Sequence, residues 1–272
     1  IEETTTPVAV NFDERVALMA MVWRLAGDKP FCRKTHPAYC QAAAAYFAPC
    51  KEHPAVAKAR EYCQSGIGYD AVAAYGLHLD IAPDGKFSFD KGLARQGDPS
   101  FDRWSESQQK DFLPLLEDFY RRSGFRQWYQ STEAVRQEAA GAFEKVAAQI
   151  DMRWFDSYFG PLPEGSEVRV LLSILNGLNN YGCSAIKTDG GTRLTPVIGC
   201  CMTDGEGHVR YKPKMVLPVV VHEFCHAYCN SLDARHWSQM EQNADSLFEM
   251  QREQLIPQAY TTPQIMVDES FV

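Results

Sequence analysis

The pentapeptide His222-Glu223-Phe224-Cys225-His226, directly behind the apolar run Val216-Leu217-Pro218-Val219-Val220-Val221, constrains this chain more than any other stretch. An α-helix turns about 100° per residue, so side chains four apart lie within roughly 40° of each other. Both imidazoles therefore face one point. Glu223 stands beside them, where a carboxylate reaches a water without being a ligand itself. Val219 to Tyr228 is apolar apart from the three motif residues, which predicts a helix packed inside a domain. Pro218 fits near its start, where a missing N–H costs nothing. The competing reading makes all three ordinary surface residues. Burial speaks against it, because polar groups inside an apolar stretch need a partner, and the expected partner is one Zn2+ per chain.

A catalytic zinc takes three protein donors and keeps one position open. The extended metzincin pattern, HExxHxxGxxH, would need a glycine at position 229 and a histidine at position 232. The chain has Cys229 and Leu232, and His236 comes four residues too late. A carboxylate from a later helix, the gluzincin solution, remains, with Glu241, Asp245, Glu249, Glu253 and Glu269 as candidates. Asp245 has a spacing like that of the aminopeptidase branch, which uses Glu there. Glu249 and Glu253 fall in Trp237–Gln254, a polar amphipathic helix whose acidic residues read as a solvated face. Glu269 differs: Pro263 looks like a first helical residue after Thr261-Thr262, and Glu269 then sits among Ile265, Met266, Val267, Phe271 and Val272. An acidic residue in that setting calls for a cation. Glu269 is the preferred third ligand, with Asp245 and Glu249 open. Cys229 projects from the same helix face as the histidines, but a third ligand from one helix gives poor tetrahedral geometry, so it reads as a packed thiol.

Several segments also resemble a known family. Asn11-Phe12-Asp13-Glu14-Arg15-Val16-Ala17-Leu18-Met19, Trp23-Arg24-Leu25-Ala26-Gly27, His53-Pro54-Ala55-Val56, Gly66-Ile67-Gly68-Tyr69-Asp70-Ala71, Asn180-Tyr181-Gly182 and the HEFCH helix look like a family of uncharacterised exported proteins of gut bacteria, classed as a domain of unknown function. The resemblance runs over most of the chain. It implies a gluzincin-like metallopeptidase that is exported (periplasmic, cell-surface or extracellular). It further implies that the Glu of an Asn-Glu or Asp-Glu pair on the helix after HExxH is the third ligand, and Asp268-Glu269 is the match.

With 272 residues, 45% of them hydrophobic, the chain buries a full core, as one large domain or as two lobes. A net charge of -8 disfavours nucleic acid or anionic membrane as partner. No apolar stretch approaches the roughly 18 to 20 residues of a membrane span, and Ile1–Pro7 reads as a polar lead-in rather than a signal segment. The nine cysteines include no paired CxxC, and their odd number leaves a free thiol. Reduced, mostly buried cysteines are expected.

Periodicity predicts helices over Phe12–Leu25, Ala38–Phe47, Pro54–Cys63, about Glu106–Ser123 and about Thr132–Ile150, with Asp80–Phe101 an irregular loop. Glu167–Leu175 and Thr195–Met202 read as strands joined through the Asn- and Gly-rich stretch Asn176–Thr192. The fold class expected is α+β, mainly helical and zincin-like, with a short mixed sheet packed on the HExxH helix. A helical N-terminal region, 1–160, would precede a catalytic core, 161–272, the two forming one compact unit.

The function this predicts is zinc-dependent hydrolysis of a peptide or protein substrate, with Glu223 as general base. Asn180 and Tyr181 are candidate substrate contacts and oxyanion donors, as are His236 and Tyr260. Two alternatives stand beside it: an inactive protein that keeps zinc as a structural element, for instance with Cys229 as fourth ligand, and a zinc hydrolase acting on a non-peptide amide or ester.

Overall fold

The computed structural model describes residues 8–33, 35–199, 202–258 and 260–272, and only the backbone at 230–234. The expected lead-in, along with Cys200 and Cys201, lies outside the described residues. The chain runs β1 (Ala9–Asn11), α1 (Glu14–Ala26), α2 (Lys29–Cys32), α3 (Pro37–Tyr46), α4 (Pro54–Gln64), α5 (Asp70–Leu77), β2 (Leu79–Ile81) and β3 (Phe87–Phe89). It continues with α6 (Glu106–Arg122), α7 (Phe125–Ser131), α8 (Glu133–Ala147), α9 (Met152–Phe159), β4 (Glu167–Leu172), β5 (Asn180–Ile186) and β6 (Thr192–Ile198). The short strands β7 (Met202–Thr203) and β8 (Val209–Arg210) precede the long α10 (Pro213–Leu255) and the final α11 (Pro263–Ser270). The fold is thus α+β, mainly helical, with a short mixed sheet.

Local chemistry accounts for the helix ends. Asp13 caps α1 by accepting from the Arg15 N–H at 2.9 Å, and Gly27, at φ 85°, closes it in the left-handed conformation. Ser105 and Gln108 form a reciprocal capping box on α6. His36 and His53 cap α3 and α4, each followed by proline at the first helical position. From Leu18 to Trp23, α1 is buried on every side. Trp23 meets Trp104 and Phe112 edge-on at 5.8 and 5.7 Å, an arrangement favoured by the ring quadrupoles.

The main sheet has the order β1-β4-β6-β5. β1, β4 and β6 are parallel, and β5 runs antiparallel to β6 at the edge. Because β1 pairs with β4, the N-terminal region contributes a strand to the sheet of the C-terminal one, and a single apolar core spans both.

Several sequence expectations are corrected. The stretch Asn176–Thr192, expected to be a connection, holds β5. Helices α2, α5, α7 and α9 fall outside the expected ones, and a small β2–β3 hairpin interrupts the expected loop. Trp237–Gln254 is no separate helix but the second half of α10. That helix also begins earlier than expected, with Pro213 at its first position and Pro218 inside it. Cys32, Cys40, Cys50, Cys63, Cys183, Cys225 and Cys229 are free thiols. No helix among the described residues is long and apolar enough to cross a membrane.

One buried polar pair makes stability depend on pH. Asp98, 3% exposed, accepts from the N–H groups of Ser100 and Phe101 at 3.0 and 3.3 Å. His78 donates through Nδ1 to the Ala74 carbonyl at 2.9 Å and stacks on Phe101. Burial pushes the Asp98 carboxyl up to about 8, the two N–H donors opposing. Burial likewise pulls the His78 imidazole down to about 4. Both are then neutral at pH 7, and their 3.8 Å approach is not an ion pair. Asp98 contributes stability in full below about pH 4 and loses it as pH rises to about 8. His78 contributes in full above about 6.5 and loses it as pH falls towards about 4. The two oppose each other below pH 6.5, and Asp98 acts alone above it. Melting temperature is expected to fall between pH 6.5 and 8, and Asp98→Asn, which keeps the acceptor for both N–H groups, is expected to flatten that slope. An unchanged slope in the variant would contradict this.

Candidate metal centre

His222, Glu223 and His226 lie on the part of α10 that packs across β5 and β6. The approach is close because Gly182 of β5 has no side chain. A Cβ there would stand 2.3 Å from the Glu223 carbonyl oxygen, 2.5 Å from the His226 Cβ and 3.0 Å from the Ala227 nitrogen. Gly182 pairs with Pro196 of β6, so this rung lacks one backbone donor as well as one side chain. Gly182→Ala is expected to force strand and helix apart and lower the melting temperature by roughly 4–8 °C, the equivalent of about 2 kcal/mol of overpacking. Gly141, in α8 with nothing within 4 Å of its added Cβ, is the control. Gly141→Ala should raise stability slightly, and equal melting of the two variants would refute the close approach.

The third donor comes from α11. Thr262 caps this helix by accepting from the Ile265 N–H at 3.2 Å, and Pro263 takes its first position, as the sequence suggests. Glu269 then faces the histidines. His226 Nε2 lies 3.1 Å from His222 Nε2 and 3.3 Å from Glu269 Oε1, and His222 Nε2 lies 3.7 Å from Glu269 Oε2. One donor atom from each of the three residues falls within 4.8 Å of the other two. Zinc ligands at roughly 2.0–2.1 Å in a tetrahedron are about 3.3 Å apart. The spacing and the chemistry of this set, two imidazoles and one carboxylate, therefore fit that ion.

Electrostatics favour the same assignment of roles. Burial, helped by the neighbouring His226, holds the His222 imidazole below its ordinary pKa, so the ring is neutral and its nitrogen is available as a donor. The hydrogen bond from His226 holds the Glu269 carboxyl below the usual carboxylate range, against the opposing effect of burial. Glu223 is in the opposite situation. It is 7% exposed, makes no hydrogen bond among the described residues, and burial pushes its carboxyl up to about 7. It borders the cleft without belonging to the donor cluster.

The other sequence candidates fall elsewhere. Glu241, Asp245, Glu249 and Glu253 are exposed on the second half of α10, and Glu249 pairs with Arg252 at 2.7 Å. None joins the donor cluster. Cys229 is buried, with Sγ 3.8 Å from the Phe271 carbonyl oxygen, and it too stands outside the cluster. Asn180 accepts from the Gly199 N–H at 3.0 Å, which ties its side chain to the end of β6. Tyr181 is buried, with a hydroxyl that makes no hydrogen bond among the described residues. Both border the cleft, as does Tyr260, whereas exposed His236 does not.

That cleft, about 1350 Å3 in volume, runs from Glu223, His226 and Glu269 to the ends of α1 and α4. Its wall includes the Gly66–Asp70 turn and the Pro99–Arg103 segment. Sequence reasoning assigned neither to the site. The signal available was Gly66-Ile67-Gly68-Tyr69-Asp70, two glycines bracketing a turn directly before a helix.

Compared with protein-family models, curated proteins and solved structures, the chain matches none. The resemblance to the exported gut-bacterial family thus rests on the quoted motifs alone.

Proposed function

We propose that this chain is a zinc-dependent metallopeptidase of gluzincin-like type, with a zincin-like arrangement of sheet and active helix. The observation that carries the reading is the convergence of His222, His226 and Glu269 at 3.1 to 3.7 Å beside a buried Glu223 whose side chain makes no hydrogen bond among the described residues. Zinc held by these three side chains would supply Lewis acidity, making a water more acidic and a carbonyl more electrophilic. The two imidazoles and the Glu269 carboxylate would hold the ion. Glu223 takes the proton of the attacking water on its carboxylate and then gives it to the nitrogen of the leaving amine. Burial pushes its carboxyl up to about 7, and a bound zinc would draw it down from there, leaving a carboxylate ready to take the proton.

The dimensions of the cleft support a polymeric substrate. Pockets for small molecules measure roughly 300–1,000 Å3, and this one is about 1350 Å3. β5 is an edge strand and its first residues border the cleft, so an extended peptide has a backbone edge to lie against. Export from the cell is part of the same proposal through the motif resemblance. The structural-zinc alternative gains nothing from Cys229, which faces the Phe271 carbonyl.

The test is incubation of the zinc-loaded protein with a peptide library, read by mass spectrometry, with and without a chelator. Chelator-sensitive cleavage is expected. A library left intact at every zinc concentration would refute the peptidase reading.

A further inference from the structure

The cleft wall holds a residue in a strained backbone conformation. Tyr69 has φ 53° and ψ −126°, and it is the one non-glycine residue with positive φ among the described residues. A side chain in that backbone state clashes with its own peptide groups, and such a conformation persists only where its surroundings over-determine it. They do so here. Arg103 donates to the Gly66 carbonyl at 2.8 Å and to Asp70 Oδ1 at 2.5 Å, spanning the turn from end to end. Ser100 Oγ donates to Asp70 Oδ2 at 2.6 Å, and Asp98 fixes Ser100 in turn. On the other side, the Ile67 carbonyl accepts from the buried Trp23 Nε1 at 3.2 Å.

What this clasp presents is a tyrosine side chain. Tyr69 is 47% exposed, it borders the same cleft as Glu223, His226 and Glu269, and among the described residues its ring stacks on nothing and its hydroxyl makes no hydrogen bond. Glycine would adopt this turn without strain, and glycines stand at Gly66 and Gly68. The turn itself does not call for a tyrosine side chain, and the clasp holds that side chain at the cleft.

We propose that Tyr69 is a substrate-contacting residue that shapes specificity: its ring forms a wall of the cleft against which a side chain or peptide plane of an extended polypeptide packs. This rests on the metallopeptidase reading above. An aromatic ring on a rigid turn offers a large contact area with little conformational entropy to lose, and its hydroxyl gives it a polar handle.

The test uses zinc-loaded protein carrying Glu223→Gln, so that peptides bind without being cut, and a defined decapeptide library as probe. The dissociation constants of the best-bound peptides are compared with those for proteins that also carry Tyr69→Gly or Tyr69→Phe, and melting temperatures are taken in parallel. Tyr69→Gly is expected to weaken binding by about tenfold or more, the loss of one good aromatic contact, with melting temperature unchanged or raised. Tyr69→Phe should keep most of the affinity. A structural residue would give the opposite pattern, a lower melting temperature with unaltered peptide binding, and that result overturns the proposal. Equal binding by all three proteins, or no peptide bound by any, overturns it too. Failure of the peptidase reading looks different: peptides bind in a Tyr69-dependent manner, yet the protein with Glu223 intact leaves them uncut.

Discussion

Replacing Glu223 by glutamine is expected to leave zinc bound and to lower peptide turnover by about two to four orders of magnitude, the usual contribution of a positioned general base. Glutamine matches glutamate in size, so the packing of a side chain only 7% exposed is preserved. It cannot take a proton from water at neutral pH. Because Glu223 stands outside the cluster of His222, His226 and Glu269, the ion should be retained at the parental level. Zinc content by mass spectrometry and kcat on a verified peptide together read both halves of this expectation. A variant that turns the peptide over at the parental rate would remove Glu223 from the mechanism. One that loses its zinc would make Glu223 a ligand or a determinant of local folding.

Glu269→Ala should act on the ion itself. It deletes one of three donors and the only anionic one in the cluster, so the fall in zinc affinity should exceed the roughly 10–100-fold that follows loss of a ligand's supporting partner. Competition against a chromophoric chelator measures it. Asp245→Ala and Glu249→Ala are the matched controls. Both residues are exposed, and Glu249 is engaged by Arg252 at 2.7 Å, so neither change should alter affinity by more than about twofold, a difference of roughly 0.4 kcal/mol. Retained affinity in the Glu269 variant, with a loss in either control, would move the third ligand onto α10.

The parts of this site legible in the sequence were those set by local chemistry. Helical spacing alone aligns His222 with His226, and the Thr262-Pro263 start predicted the helix that carries Glu269. The α10 helix was underestimated although its signal was present. No glycine or proline interrupts the chain between Val219 and Ile256, so nothing breaks the helix after the motif, and the apolar Val219–Tyr228 and polar Trp237–Gln254 segments are one helix. β5 was missed for the reverse reason. Asn180, Gly182 and Ser184 suggested a loop, yet Tyr181, Cys183 and Ala185 alternate with them and all three are buried, the period of a strand with one covered face. Gly182 is there to admit the helix. That Gly66–Asp70 and Pro99–Arg103 form one wall of the cleft was not legible, because the tertiary bonds of Arg103 and Ser100 bring them together.

The central claim is that His222, His226 and Glu269 together hold one zinc. X-ray absorption at the zinc edge of the purified, zinc-loaded protein tests it most directly. The account predicts one zinc per chain with nitrogen and oxygen donors at about 2.0–2.1 Å, outer-shell scattering from two imidazoles, and no sulfur. A sulfur shell at about 2.3 Å, which would bring in Cys225 or Cys229, or a protein that takes up no zinc, would contradict it.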